Sequence, residues 1–174
     1  RQRQMCIRDS RNHVAVVMQK ALLFKGSIRD NMKWGKKDAT DDEIMEALDI
    51  SQSREFVEKK DGKLDAFIDQ GGKNLSGGQR QRISIARALI RDPKVIVLDE
   101  ATSALDSISE KLIQQALNNL TEGRTTFVVA HRLSTIRDAD RIAVIADGRC
   151  AEYGTYEELM ALQGEFYQLK QIQS

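Results

Sequence analysis

Short apolar runs, separated by segments with helical periodicity, are the feature that most constrains the fold of this chain. Four such runs lie at Val14–Met18, Val95–Leu98, Thr125–Ala130 and Arg141–Ala146. The run Val95–Leu98 is apolar at every position, which is typical of a strand buried on both faces. Because strands that alternate with helices usually pair in parallel, we predict an α/β fold with a mostly parallel, doubly wound sheet.

Helical patterns fill most of residues 21–92 and the intervals between the later runs. Asp41, Asp42 and Glu43 favour a helix start, because acidic side chains complement the positive end of the helix dipole. Further helices are predicted at Gln52–Val57, Gly77–Ile90, Ser107–Leu120, Leu133–Arg137, Thr155–Leu162 and Glu165–Ile172. The apolar face of the helix at Ser107–Leu120 is assigned to residues that recur every four positions, namely Ile108, Leu112, Ala116 and Leu120.

The composition of the 174 residues is that of an ordinary globular protein, with 30% charged and 41% hydrophobic residues. Its 27 basic and 26 acidic residues nearly cancel, so no nucleic-acid partner is expected. Cys6 and Cys150 form neither a disulfide framework nor a metal cluster, which favours a reducing compartment. No apolar run approaches the roughly 18 residues of a membrane-spanning helix, so membrane association is expected to come from a partner or from sequence outside this chain.

The segment Leu75–Arg80, with the sequence LSGGQR, is the most specific motif in the chain. Ser76 is a favourable N-cap for the helix that follows, and Gly77 and Gly78 allow a phosphate to approach the backbone closely. The free N–H groups and the dipole of that helix would attract such an anion. A serine-capped helix after a flexible loop explains Ser-Gly-Gly alone, but it does not explain the whole motif through Gln79.

Polar residues follow three of the apolar runs, with Gln19 after the first, Asp99 and Glu100 after the second and His131 after the third. The carboxyl ends of parallel strands are where such sheets bind ligands. A carboxylate there can hold Mg²⁺ through water, and a neighbouring one can polarise an attacking water. A histidine there can hydrogen-bond a phosphate. Taken singly, each residue has an ordinary alternative as a solvated loop or surface side chain.

Taken together and in order, these elements resemble the ATP-binding-cassette (ABC) transporter ATPase family. Gln19 matches its Q-loop, Leu75–Arg80 its signature motif and Val95–Glu100 its Walker B strand. The Ser-Ala-Leu-Asp sequence that ends at Asp106 matches the D-loop, and His131 matches the switch histidine. Five motifs in the family's order make a coincidental origin very improbable.

The resemblance implies a RecA-like P-loop NTPase core, incomplete in this chain, with an inserted α-helical subdomain. The partial ABC ATPase domain would cover residues 11–174, with core parts at 11–20 and 93–174 and the helical subdomain at about 21–92. Residues 1–10 show neither helical nor strand periodicity and are left as an unassigned tail.

Three further segments resemble the exporter branch of the family. Leu23–Asn31 is similar to a run that follows the Q-loop in exporters, and Asp69–Asn74 is similar to their X-loop region, which lies near the coupling helices of the membrane domain. Gly154–Leu159 resembles a late exporter segment, although Tyr156 stands where histidine is usual. An exporter would place this chain at the cytoplasmic face of the cell membrane, joined to a transmembrane domain through its coupling helices.

The resemblance also implies roles for the residues at the strand ends. Glu100 would activate the attacking water and His131 would contact the γ-phosphate of ATP. Asp99 and Gln19 would bind Mg²⁺, largely through water, and Gln19 would link that site to the membrane domain. Asp106 is expected to contribute to nucleotide binding.

The signature motif would serve a different nucleotide from the strand ends. In the family, two ATPase domains enclose each ATP between one P-loop and the other domain's signature. Ser76, Gly77, Gly78 and Gln79 would therefore bind the ATP of a second ABC ATPase domain, in a homodimer or a heterodimer.

The chain departs from the family at the P-loop, which requires G-x-x-x-x-G-K-[ST]. The Gly-Lys pairs that begin at Gly35, Gly62 and Gly72 are followed by lysine, leucine and asparagine, so none fits. Because the P-loop supplies much of the positioning and charge neutralisation in phosphoryl transfer, we expect this chain alone neither to bind ATP tightly nor to hydrolyse it. The missing motif is expected upstream, in a longer parent protein.

The function implied for that parent is ATP hydrolysis coupled to export across a membrane. Two alternatives stay open. One is a non-catalytic pairing module that lends its signature motif to a partner's ATP site, and the other is a soluble, non-transport ABC ATPase. The near-neutral charge and the exporter-like segments argue against the soluble ATPase.

Overall fold

The computed structural model describes residues 13–99, 107–130 and 133–173. These described residues form two compact units, and the division falls between Val129 and Ala130. The first unit contains β1 (Val14–Val17), β2 (Gly26–Ser27), α1 (Ile28–Lys33), α2 (Asp41–Ile50), α3 (Arg54–Glu58), β3 (Phe67–Ile68), α4 (Gly77–Leu89), β4 (Val95–Asp99), α5 (Ser107–Thr121) and β5 (Thr125–Val129), with 3-10 turns at Lys63–Asp65 and Gln70–Gly72. The second contains a 3-10 turn at Leu133–Ile136, then β6 (Ile142–Ala146), β7 (Arg149–Gly154), α6 (Tyr156–Leu162) and α7 (Glu165–Gln173).

A three-stranded parallel sheet in the order β1-β4-β5 forms the centre of the first unit. Its three strands are the first three apolar runs, and their alternation with helices confirms the predicted α/β class and mostly parallel sheet. The long connection from β1 to β4 carries α1 to α4 and the two-stranded antiparallel sheet of β2 and β3. Among the described residues, no helix is both long and apolar enough to cross a lipid bilayer.

In the described part of the chain, four helices begin with the same reciprocal capping arrangement. A serine or threonine side chain accepts a hydrogen bond from the third helical N–H, and the acidic or amide side chain at that position accepts one from the cap backbone. The pairs are Ser27 and Asp30, Thr40 and Glu43, Ser76 and Gln79, and Thr155 and Glu158. The helix starts predicted at Asp41 and Gly77 are therefore confirmed.

The apolar stripe predicted for α5 is wrong in part. Ile108 is 74% exposed, whereas Ile113, Ala116 and Leu120 are buried in the core of the first unit. An exact four-residue repeat drifts by about 40° per step around an α-helix of 3.6 residues per turn, so it leaves the buried face within a few turns. The buried stripe follows alternating spacings of three and four.

Strands β1 and β4 of the parallel sheet are buried on one face and open on the other. Ile96 and Leu98 are buried with residues of the helices, but Val97 on the opposite face is only half-buried. Val97 pairs with Val16 and Phe127, which are 56% and 59% exposed. The burial of both faces expected for β4 is therefore incomplete, because the helices of the core cluster cover a single face.

The second unit is built on an antiparallel hairpin. Ile142–Ala146 is a strand, as predicted, but it pairs with Arg149–Gly154, which was not predicted. Asp147 and Gly148 both have positive φ, the backbone conformation of a tight type I′ hairpin turn. The small core of this unit contains Ile142, Val144, Leu159 and Phe166.

Candidate functional site

The signature motif lies at the N-terminus of α4, where local hydrogen bonds set its conformation. The Gln79 N–H donates to Ser76 Oγ at 3.2 Å, and the Ser76 N–H donates to Gln79 Oε1 at 3.1 Å. The first helical hydrogen bond runs from the Arg80 N–H to the Ser76 carbonyl at 3.0 Å. The N–H groups of Gly77 and Gly78 lie in the first turn, where helix geometry offers no acceptor. They are suited to binding an anion.

The side chains of Arg80, the last residue of the motif, and of Asn74, which precedes the motif, fix the loop that leads into it. Arg80 Nη1 donates to the carbonyls of Leu75 at 2.6 Å and Gly72 at 3.3 Å. Asn74 Oδ1 accepts from the Asp69 N–H at 3.0 Å, and its Nδ2 donates to the Phe67 carbonyl at 2.8 Å. The approach to the signature is therefore held by side-chain bonds to the backbone on either side of the turn.

Gln19 and Asp99 lie at one edge of the parallel sheet. Val17, the last residue of β1, pairs with Leu98, so the two strands end within one residue of each other. Asp99 is the last residue of β4 and is half-buried, and Gln19 is exposed two residues beyond β1. A carboxylate and an amide oxygen are hard ligands of the kind Mg²⁺ accepts while it keeps several waters. Within the described ranges, no group of three or more His, Cys, Asp and Glu side chains is placed to hold a metal ion.

Glu100, Asp106 and His131 lie outside the described residues. Glu100 follows β4 directly in sequence, and Asp106 immediately precedes α5. The roles predicted for these three residues remain predictions.

Two residues of α4 that were given no role connect the signature helix to the segment after β1. Gln81, which is 4% exposed, donates from Nε2 to the Met18 carbonyl at 3.2 Å. Arg87 donates from Nη2 to the Leu22 carbonyl at 2.8 Å. A polar side chain on the buried face of a predicted helix was the available signal, but the sequence does not say which carbonyl it would reach.

Leu22, Phe24 and Trp34 are exposed side chains beside this connection. We call the three together the aromatic surface, after its two rings. The rings of Phe24 and Trp34 lie 4.8 Å apart, and the Arg87 guanidinium lies 5.8 Å from the Phe24 ring centre. Arg87 and Trp34 also line a cavity of about 70 Å³ with Arg91. Burial lowers the pKa of Arg87, and its Nη1 is buried without a hydrogen-bond partner among the described residues. Neighbouring exposed apolar side chains of this kind are typical of a protein contact surface.

Comparison with known proteins agrees with the motifs. A family model described as "ABC transporter" matches residues 2–103. A bacterial Atm1-family ABC exporter, solved with ATP bound, superposes with a TM-score of 0.83 at 34% sequence identity, covering 94% of this chain and 29% of that one.

Curated relatives are similar over almost the whole chain. The beta-(1→2)glucan export ATP-binding/permease protein of Rhodopseudomonas palustris is 50% identical over 171 residues, which is 98% of this chain and 28% of the relative. The ATP-dependent lipid A-core flippase of Desulfotalea psychrophila is 47% identical over 171 residues, 98% of this chain and 30% of the relative. This chain therefore spans less than a third of the length of either relative.

Proposed function

The chain belongs to the ABC transporter family, and we propose that it is the ATP-binding part of an ATP-driven membrane exporter. The observation that carries the proposal is the signature motif itself, which the structure builds as a capped helix start with amide donors in its first turn. The names of the relatives, an export ATP-binding/permease protein and a flippase, support the export function.

The strand-end residues would hold the nucleotide that this domain hydrolyses. Gln19 and Asp99 present oxygen donors at one sheet edge and would bind Mg²⁺, whose charge offsets that of the phosphates. Glu100 would accept the proton of the attacking water, and His131 would donate a hydrogen bond to the γ-phosphate. Asp106 would complete the contacts from the segment before α5.

The signature residues would serve the nucleotide of a second ABC ATPase domain. Ser76 is exposed, and the amides of Gly77 and Gly78 sit at the positive end of the thirteen-residue helix α4. Gln79 completes the capping box through its two hydrogen bonds with Ser76. This arrangement requires a partner domain, as a second copy or as a related chain.

The aromatic surface would contact the transmembrane domain at the cytoplasmic face of the membrane. Trp34 is 67% exposed, and the exporter-like loop Asp69–Asn74 is bonded to the same region through the Gly71 N–H and the Leu23 carbonyl. Trp34→Ala should reduce transport per ATP hydrolysed, because exposed aromatic residues contribute strongly to protein interfaces. Tyr153→Ala, at an equally exposed aromatic residue, is the matched control. Equal effects of the two changes on transport would contradict this contact.

ATP turnover tests the proposal directly. We expect the exporter that carries this domain to hydrolyse ATP and the 174-residue chain alone to show no turnover, because the chain contains no G-x-x-x-x-G-K-[ST] sequence. Robust hydrolysis by the chain alone would refute the claim that it needs a separate P-loop. Absence of turnover in the exporter would refute the proposed function.

The capped signature motif is equally suited to a second candidate, a pairing module that performs no chemistry itself. Such a module would stimulate ATP turnover in a partner domain through its signature motif, while its own Glu100 would be dispensable. Turnover that is insensitive to Glu100→Gln but sensitive to Ser76→Ala would select this alternative.

A further inference from the structure

The second glycine of the signature motif lies against the start of α5. An ideal Cβ placed on Gly78 would lie 2.6 Å from Ser109 Oγ and 2.7 Å from Ser109 Cβ. Non-bonded carbon atoms prefer separations of about 3.5–4.0 Å, so no side chain fits at Gly78 while Ser109 keeps its place. The contact joins the first turn of α4 to the first turn of α5.

Ser109 occupies the end of the buried stripe of α5. It lies one turn before Ile113, and the stripe continues through Ala116 and Leu120 into the core. Ser109 itself is half-buried, and Gly78 is buried. The packing of α5 against the core therefore sets where Ser109 lies, and Ser109 in turn limits how α4 can be placed.

We propose that Ser109 is a positioning residue for the signature motif, and that Gly78 lacks a side chain because Ser109 packs against it. This differs from the expectation that both glycines of the motif serve only the close approach of a phosphate. The contact is a property of this chain alone, and only its consequence for catalysis rests on the proposed function. Since α5 begins directly after Asp106, the same contact ties the signature to the segment that the resemblance identifies as the D-loop.

The first test uses the 174-residue chain. Alanine is normally more favourable than glycine inside a helix, so Gly78→Ala should raise the melting temperature unless the Cβ meets Ser109. We expect it instead to lower the melting temperature and to speed amide hydrogen exchange at residues 76–80. Adding Ser109→Gly should reverse both changes, and adding Ser109→Ala, which removes Oγ but keeps Cβ, should reverse them less. A melting temperature raised by Gly78→Ala alone would overturn the proposed contact.

The second test measures ATP turnover in the exporter that carries this domain. Gly78→Ala should lower turnover by roughly tenfold to a hundredfold, the range for displacing a positioning group by up to about 1 Å. Ser109→Val, which enlarges the α5 side chain at the same contact, should also lower ATP turnover. Ser109→Gly should restore most of the turnover of the Gly78→Ala protein. Lys111→Gly, which loses at least as much helix propensity at an exposed site on α5, should not.

The two tests separate the possible failures. If Ser109→Gly restores neither turnover nor hydrogen exchange, Gly78 serves the phosphate alone and the positioning role of Ser109 is refuted. If the unmodified exporter has no ATP turnover, the proposed function fails, and the hydrogen-exchange cycle still decides whether the contact exists.

Discussion

The signature region and the strand-end region reach their geometry by different routes. Around the signature, Ser76 and Gln79 bond to each other, and Arg80 donates to the Leu75 carbonyl of the preceding turn. Gln81 anchors the helix to the segment after β1. At the strand ends, Asp99 is half-buried at the carboxyl end of β4, and one face of the sheet is exposed. The first region is organised by the chain's own contacts, whereas we infer that the second is completed by the nucleotide and by groups that belong to the assembled exporter.

The largest expected effect tests the strand-end region. Glu100→Gln should lower ATP turnover of the exporter by roughly 10²–10⁴-fold, because it removes a general base while keeping the shape of the side chain. ATP should remain bound, which a filter-binding measurement would detect. Glu110→Gln, at an exposed carboxylate on α5, is the control. Unaffected turnover after Glu100→Gln would remove Glu100 from the mechanism.

The next effect compares the packing of α4 with that of the sheet's open face. Ile85→Ala should lower the free energy of unfolding of the chain by about 2–5 kcal/mol, because Ile85 is fully buried and its truncation leaves a cavity. Val16→Ala, on the open face, should cost less than about 1 kcal/mol. Chemical denaturation of the two variants measures both. Equal losses would show that Val16 is covered in the folded chain.

A smaller effect separates the structural and functional roles of the signature cap. Ser76→Ala and Thr40→Ala each remove a capping-box side chain and should each cost about 1 kcal/mol of stability. Only Ser76→Ala should also lower ATP turnover of the exporter. If Thr40→Ala lowers turnover to the same extent, the loss comes from helix stability, and Ser76 has no separate role toward a nucleotide.

The smallest effect is a pH dependence in the helical part of the first unit. Arg29 donates to both carboxylate oxygens of Asp65, and this pair lowers the pKa of Asp65. A lowered pKa means that the stabilisation is present above the unfolded-state pKa of about 3.9 and is lost as the pH falls through the lower folded value. Asp65→Asn should therefore destabilise the chain slightly at pH 7 and by less at pH 2.

Thermal unfolding across this pH range checks that prediction, with Asp61→Asn at an exposed carboxylate as the control. Because the Asp65 pair is exposed to solvent, added salt should weaken the effect. A difference between wild type and Asp65→Asn that grows as the pH falls would have the wrong sign.

Features with local causes were predictable from the sequence. Ser76 and the acids at Asp41 marked two helix starts, because capping and dipole interactions involve residues within one turn. The strand Arg149–Gly154 was missed, although Asp147-Gly148 is a strong signal for a two-residue hairpin turn. That error came from extending the strand–helix alternation past the point where the turn residues contradicted it.

Features with distant causes were not predictable. Gln81 and Met18 are 63 residues apart, and Arg87 and Leu22 are 65 apart. Nothing in the local pattern around either α4 residue specifies the partner, because the partner depends on how the connection from β1 packs. Likewise, glycine at position 78 fits both a phosphate and a neighbouring helix, and only the position of Ser109 reveals the second reason.

The central claim is that the strand ends serve this domain's own nucleotide, whereas the signature serves its partner's. ATP turnover of dimeric exporters assembled from differently mutated copies tests it most directly, with Glu100→Gln and Ser76→Arg placed either in separate copies or together in one copy. When the two changes are in separate copies, both fall in one composite site and the other site stays intact, so we predict that this dimer keeps ATP turnover. When both changes are in one copy, each composite site carries one of them, and we predict that ATP turnover is lost. The opposite ranking would show that each signature acts on its own copy's nucleotide and would contradict the account.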